Sequence, residues 1–342
     1  MLLNKFDLQI FAGGKTKIAD LIVPEIYEQY MLENSPKLSR LITSGIARTS
    51  EEMMTLANGA GVTINVPFLK PIIGASQIID DTNALTTNKM TAKKQVGVRL
   101  VRGNAWEFTD IATILSGADP IGALYEQLAK YWAAEEQTIM IQILKGLFGT
   151  SGCLSTSHMV DISSQPGAES NISAEQTLTA KQKLGDNAFK IASVAMHSAV
   201  YTYLQKQNLI EFIPDSRGEI AFTRYLGYNV IVDDQMPADG GVYTTVFFGD
   251  GAFSYGSGTP NGLRPIEADR DILGSSEVVV SRRSFVVHPN GCSWKGSISN
   301  TTPSNAELST AGSWEKVFED KNIAMVALKH KIDQHKNDQV VS

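Results

Sequence analysis

The stretch from Ser193 to Gly258 constrains the fold more than any other part of this chain. Val194–Met196 is a short apolar strand that stops at His197-Ser198. Ser198 suits the cap of a helix running from Ala199 to about Gln207. A turn at Pro214–Gly218 follows, and the run Gly227-Tyr-Asn-Val-Ile-Val-Asp-Asp-Gln-Met-Pro237 reads as a β-branched strand closed by proline. Tyr243–Phe248 is a second strand, ended by Gly249-Asp250-Gly251.

With 342 residues, the chain has room for two or more lobes around a sizeable core. A hydrophobic content of 43% and a charged content of 19% belong to a globular protein. The net charge of −6 argues against sequence-independent binding of nucleic acid, which needs a basic face, although a local basic strip stays open. Cys153 and Cys292 are too few for a disulfide framework and are expected to be reduced. No apolar run reaches the roughly 18–20 residues that span a bilayer. Asn4, Lys5 and Asp7 interrupt the apolar N-terminus and no small-residue cleavage site follows, so it does not read as a signal peptide. A soluble protein made in a cytosol is expected.

Residues 1–58 read as an arm, with an amphipathic helix from Ile18 to about Leu32 kinked at Pro24. A surface helix folded on its own core is the alternative. From 59 to 110 the pattern turns to β. Val62, Ile64, Val66 and Phe68 alternate with Thr63, Asn65 and Pro67, and Val96, Val98 and Leu100 alternate with Gln95, Gly97 and Arg99. The polar reach Leu69–Lys94 joins these strands into a ribbon. A long two-stranded ribbon is marginal in water, so it must lie on its own domain or on another molecule. Asp119-Pro120 opens the longest helix, through about Leu147 and about 40 Å long, which Gly146 and Gly149 are expected to stop. Ser173-Ala-Glu-Gln176 is a capping box for a second helix through about Phe189. Glu277–Pro289 is strongly β-forming, residues 297–312 read as a polar surface loop rather than core, and Asn322–Lys331 is a final strand.

Motifs that carry chemistry fail when tested. Gly13-Gly14-Lys15-Thr16 lacks the earlier glycine of a phosphate-binding loop, where Gln9 stands, and no strand precedes it. Tyr255-Gly-Ser-Gly258 has tyrosine where a nucleophile elbow needs glycine. His288 and Cys292 lack a second ligand pair for zinc, and His158, His197, His330 and His335 are scattered. Asp80-Asp81, Glu135-Glu136 and Asp233-Asp234 read as solvated or inter-subunit charges. Neighbours in a strand point to opposite faces, so Asp233 and Asp234 do not share a site. No catalytic, cofactor-binding or metal-binding residue is assigned, no cofactor is expected, and the chain does not read as an enzyme.

The order of pieces across Ser193–Gly258 resembles the axial domain of tailed-bacteriophage major capsid proteins of the Hong Kong 97-type fold, shared with encapsulin nanocompartments. Asp7-Leu-Gln-Ile-Phe-Ala12 is similar to the opening of many phage head proteins. The segment from Thr16 to Ile46 resembles the arm of one coat-protein subfamily, and the Asp119–Leu147 helix resembles that family's spine helix. The resemblance implies an α+β fold with an N-terminal arm at 1–58 and an extended β-hairpin loop at 59–110. A peripheral domain with the spine helix follows at 111–192, then an axial domain at 193–275. Return strands of the peripheral domain occupy 276–342, with the surface loop 297–312. It implies self-assembly into hexamers and pentamers of an icosahedral shell around double-stranded DNA, held without sequence-specific binding. A separate scaffolding protein and a portal are the implied partners, with no membrane, and the virion, assembled in host cytoplasm, is the implied location. Some members crosslink a loop lysine to a neighbour's asparagine. Lys89, Lys93 and Lys94 lie on or near the ribbon here, but nothing singles out a partner. An encapsulin-type shell, and an α+β enzyme with dispersed site residues, are the rival readings.

Overall fold

The computed structural model describes residues 41, 44–69, 76–79, 87, 92–109, 120–214, 220–259 and 262–332. The arm helix expected at Ile18–Leu32 lies outside them, as does most of the polar reach of the ribbon.

In chain order, β1 (Ala47–Thr49) leads into α1 (Glu51–Asn58), which carries Glu51 and Glu52 in its first turn, where the helix dipole favours acids. β2 (Thr63–Leu69) and β3 (Ala92–Thr109) pair antiparallel, from Thr63 opposite Val98 to Leu69 opposite Ala92. α2 (Pro120–Phe148) is the long helix. It runs through Gly146 rather than stopping there; a Cβ at this position would lie 2.9 Å from the Trp314 indole and closer still to the Leu308 carbonyl, so glycine is needed for packing. The glycine marks a close approach.

β4 (Met159–Asp161) precedes α3 (Ala174–Gln182), whose N-cap Ser173 accepts from Gln176 N. α3 ends well before Phe189, giving way at Gly185 to a 3₁₀ turn. Then come β5 (Ile191–Met196) and α4 (Ser198–Lys206). The α4 cap is His197 rather than Ser198: the imidazole Nδ1 accepts from Ala199 N at 3.1 Å. β6 (Ile210–Pro214), β7 (Ile220–Tyr225), β8 (Tyr228–Val232), β9 (Ala238–Asp239), β10 (Val242–Gly249) and β11 (Phe253–Gly258) follow. β12 (Ile266–Asp271), β13 (Ser276–Pro289) and β14 (Cys292–Trp294) precede α5 (Asn305–Ser309), β15 (Trp314–Lys316) and β16 (Met325–Lys331).

The described residues within Arg102–Ala134 and Gly262–Arg283 form one compact unit. There β12 pairs with β13 from Ile266 opposite Ser281 to Asp271 opposite Ser276. Leu128 and Val279 are its buried centre, flanked by Trp106 and Phe108. Trp132 Nε1 donates to Ser281 Oγ at 2.9 Å, so the buried indole is satisfied.

The other unit comprises the described residues within Ser39–Val101, Glu135–Asn261 and Ser284–Ser342. Its larger sheet runs β4-β16-β10-β5-β8-β7-β6, with β9 on β10. At the centre of this sheet, on β5, β10 and β16, both faces are buried, and the period of two is visible residue by residue. Ala195, Val246, Phe248, Met325 and Ala327 join Ile139, Ile143 and Leu147 of α2. Val194, Met196, Phe247, Val326 and Leu328 face the other way, toward Ala180 of α3 and Val200 and Leu204 of α4. In the same unit β11 pairs parallel to β1 and antiparallel to the C-terminal half of β13.

Residues 297–312 correct the sequence reading. They hold α5, closed by a reciprocal capping box between Ser304 and Glu307, and they bury Leu308 in the core. Four donors from Ser299 and Ser304 hold the Glu307 carboxyl down to about 2, well below the usual carboxylate range. The segment is thus part surface and part core: Ser297, Ser299, Asn300, Thr301 and Thr310 stay exposed, while Thr302, Pro303 and Leu308 are buried.

Candidate functional site

Surface-building elements come first. On β2, Ile64 is buried and Val66 and Phe68 are half-buried, while Thr63, Asn65 and Pro67 are exposed, as the alternation requires. The base of the ribbon packs on its own unit. The Arg99 guanidinium donates to the carbonyls of Gly59 and Gly61, Val96 N donates to Ser293 Oγ at 2.9 Å, and Phe68 meets Phe318 edge-on at 4.7 Å. Farther along, Ile78 and Ile79 are 90% and 81% exposed.

α2 holds the Val232–Pro237 segment through two polar contacts. Gln137 Nε2 donates to Asp233 Oδ2, and Thr138 Oγ1 donates to Gln235 Oε1 at 2.9 Å. Asp234 turns away, with its carboxylate 4.0 Å from His197 Nε2. The two carboxylates diverge, but not by strand alternation, because β8 ends at Val232 and both aspartates lie in the turn after it. Glu136 is buried and accepts from the Tyr255 hydroxyl, whereas Glu135 is half-buried. Asp80 and Asp81 lie outside the described residues, as do Gly13–Thr16 and His335.

Three buried histidines make hydrogen bonds within the chain. His158 Nε2 bonds the Asp320 carbonyl at 2.9 Å, His288 Nε2 bonds Gln95 Oε1 at 2.9 Å, and His330 Nε2 bonds Thr245 Oγ1 at 2.9 Å. Burial pushes His288 and His330 each down to about 4, and lowers His158 as well. Among the described residues no group of three or more His, Cys, Asp or Glu side chains is placed to hold a metal ion. Tyr255–Gly258 is a straight piece of β11, not a strand-to-helix turn. Its Gly256 is required because α1 crosses it: a Cβ there would overlap the backbone of Met53 and lie 2.6 Å from Met54 N.

Sequence reasoning missed one juxtaposition. Cys153 follows α2 and Cys292 sits on β14, yet their sulfurs lie 4.0 Å apart. They are 139 positions apart, and no local pattern signals the contact.

A cavity of about 630 Å³ opens between the end of α2, β4 and β10, with Leu144, Phe148, Met159 and Val246 among its apolar walls. Its polar lining includes Lys329 and Asp161, paired with each other at 3.3 Å. Both side chains are more than a third exposed, so this is a partly solvated ion pair. Among the described residues no helix is long and apolar enough to cross a membrane.

Comparison with known proteins is decisive at this point. Residues 68–327 match the family model Gp13-like, described as major capsid protein 13-like. The chain belongs to that family. It is 38% identical over 325 residues to the major capsid protein of Bacillus phage SPP1, covering 93% of this chain and 98% of the relative. Three solved structures share the fold at low identity. A chain from the capsid of Ralstonia phage GP4 has a TM-score of 0.56 at 10% identity, covering 87% of this chain and 92% of that one. The capsid of a native GTA particle gives 0.52 at 13% identity, with 86% and 90% covered. A chain from Mycobacterium phage Che8 gives 0.51 at 11% identity, with 83% and 89% covered. The architecture is therefore an α+β capsid fold, and the chain is a phage major capsid protein. Its family is structural, and the matches do not favour the encapsulin reading.

Proposed function

We propose that copies of this chain assemble as hexamers and pentamers into an icosahedral head that encloses double-stranded DNA without reading its sequence. The observation that carries the reading is the 38% identity to the SPP1 major capsid protein across 93% of this chain. On this reading residues 1–58 are an arm and 59–110 an extended loop, both clamping neighbours. Residues 111–192, with the return strands of 276–342, build the continuous wall, and 193–275 pack around capsomer axes. The exposed Ile78 and Ile79 support the loop's part, because adjacent aliphatic side chains on a polar reach are suited to burial against another subunit. Large contacts between identical subunits that close on themselves are the physical route to a shell. The partners are a separate scaffolding protein during assembly and a portal at one vertex. The site of assembly is the host cytoplasm, and the protein catalyses no reaction.

The test is negative-stain electron microscopy with light scattering on the purified chain, alone and co-expressed with a candidate scaffolding protein. Shells, tubes or capsomers in either sample are expected. A monodisperse monomer or dimer in both samples overturns the proposal.

A further inference from the structure

Cys153 and Cys292 sit in one compact unit, joining the turn after α2 to β14. Cys292 is fully buried in the main core, and Cys153 packs against that core while keeping part of its surface open. Their sulfurs are 4.0 Å apart, the outer limit of a weak thiol hydrogen bond. A disulfide needs about 2.05 Å, so forming the bond requires the two side chains to turn toward one another about their Cα–Cβ bonds. The two thiols are also unequal. Cys153 is held below the ordinary thiol range, chiefly by its hydrogen bond with Cys292 and with help from the nearby Lys316 ammonium. Cys292 retains its proton, because that same contact and its burial both raise it. A partly accessible thiol that gives up its proton more readily, in contact with a buried one, has the arrangement of an attacking and a resolving cysteine.

We infer that Cys153 and Cys292 form an oxidation site, in which an intrachain disulfide staples the end of the long helix to the β14–β15 hairpin. The oxidant is a small peroxide or disulfide of the kind met outside a reducing cytosol. With hydrogen peroxide, the Cys153 thiolate attacks one oxygen and becomes a sulfenic acid, and the departing hydroxide takes a proton to become water. The Cys292 sulfur then displaces the sulfenic hydroxyl as a second water. In total two thiols lose two hydrogens and two electrons, and one peroxide is reduced to two waters. The bond closes a span of 139 positions, so it restricts the unfolded chain strongly. This inference does not depend on what the chain assembles into.

The experiment treats the intact full-length chain with hydrogen peroxide and, separately, with oxidised glutathione. It counts free thiols and maps peptides by mass spectrometry without reduction. The expected result is a fall from two free thiols to none, a chain lighter by two hydrogens, and a peptide linking Cys153 to Cys292. Oxidised chain is also expected to melt at a higher temperature, with the gain reversed by dithiothreitol and absent in Cys153→Ser. Two free thiols persisting, a glutathione adduct on Cys153 with Cys292 still free, or chains linked to one another would each overturn the inference. Peptide mapping of the unmutated chain decides the matter even if a variant fails to fold.

Discussion

The Tyr255 hydroxyl lies 3.0 and 3.1 Å from the two carboxylate oxygens of Glu136, and so ties β11 to α2 across a buried interface. Glu136 is only 4% exposed. A carboxylate removed from water depends on its donors, and losing one leaves a charged acceptor short of a partner. Tyr255→Phe keeps the ring and removes the donor. It is expected to destabilise the chain by about 2 kcal/mol, read from urea unfolding followed by circular dichroism. An unchanged midpoint would show that Glu136 is held by other groups.

Gly256 gives a second, steric prediction. The backbone of α1 occupies the space a side chain would need, and backbone cannot swing aside as a flexible side chain does. Gly256→Ala is expected to cost about 3 kcal/mol and to loosen α1, whose amides then exchange faster with deuterium. The neighbouring Ser257→Ala, which meets no such obstacle from α1 on this strand, is expected to stay within about 0.5 kcal/mol. Equal effects at the two positions would mean that the close approach of α1 is not what fixes β11.

Regular elements were legible from sequence, whereas close approaches between distant segments were not. The apolar run within Asn322–Lys331 declared a strand, which the structure begins at Met325, after a 3₁₀ turn, and buries on both faces. The long helix was equally plain, because its apolar positions recur over 29 residues. Gly146 was misleading, since glycine as a helix stop and glycine as room for another segment look identical in one dimension. The His197 cap was hidden for a related reason: serine is the commoner cap, and only the actual ring orientation shows Nδ1 accepting from Ala199. The Cys153–Cys292 contact depends on how distant segments pack, so no local rule reaches it.

Leu308 tests the corrected segment directly. Its side chain is 1% exposed, and its carbonyl accepts from Trp314 Nε1 at 2.9 Å, beside the edge-on pair of Trp294 and Trp314. Truncation leaves a cavity in the main core. Leu308→Ala is expected to cost about 3 kcal/mol in chemical unfolding, while the exposed Ala306→Ser changes little. A near-neutral Leu308→Ala would return residues 297–312 to the status of a surface loop.

His288 and His330 set an acid limit on stability. Both ordinarily titrate near 6.5, and burial holds each at about 4 in the folded chain. The unfolded chain therefore takes up protons first as pH falls. The stabilisation from keeping the rings neutral is complete above pH 6.5 and is lost progressively as pH drops toward 4. The loss is on the order of 3 kcal/mol per histidine at the bottom of that window. Urea midpoints at pH 7, 5.5 and 4.5 are expected to fall steeply for the parent chain. His288→Gln, which retains a polar group for Gln95 but gains no charge, is expected to lose less on acidification even if it starts lower at pH 7. A His288→Gln chain that loses as much between pH 7 and 4.5 as the parent would show that carboxylates, not this buried imidazole, govern the acid transition.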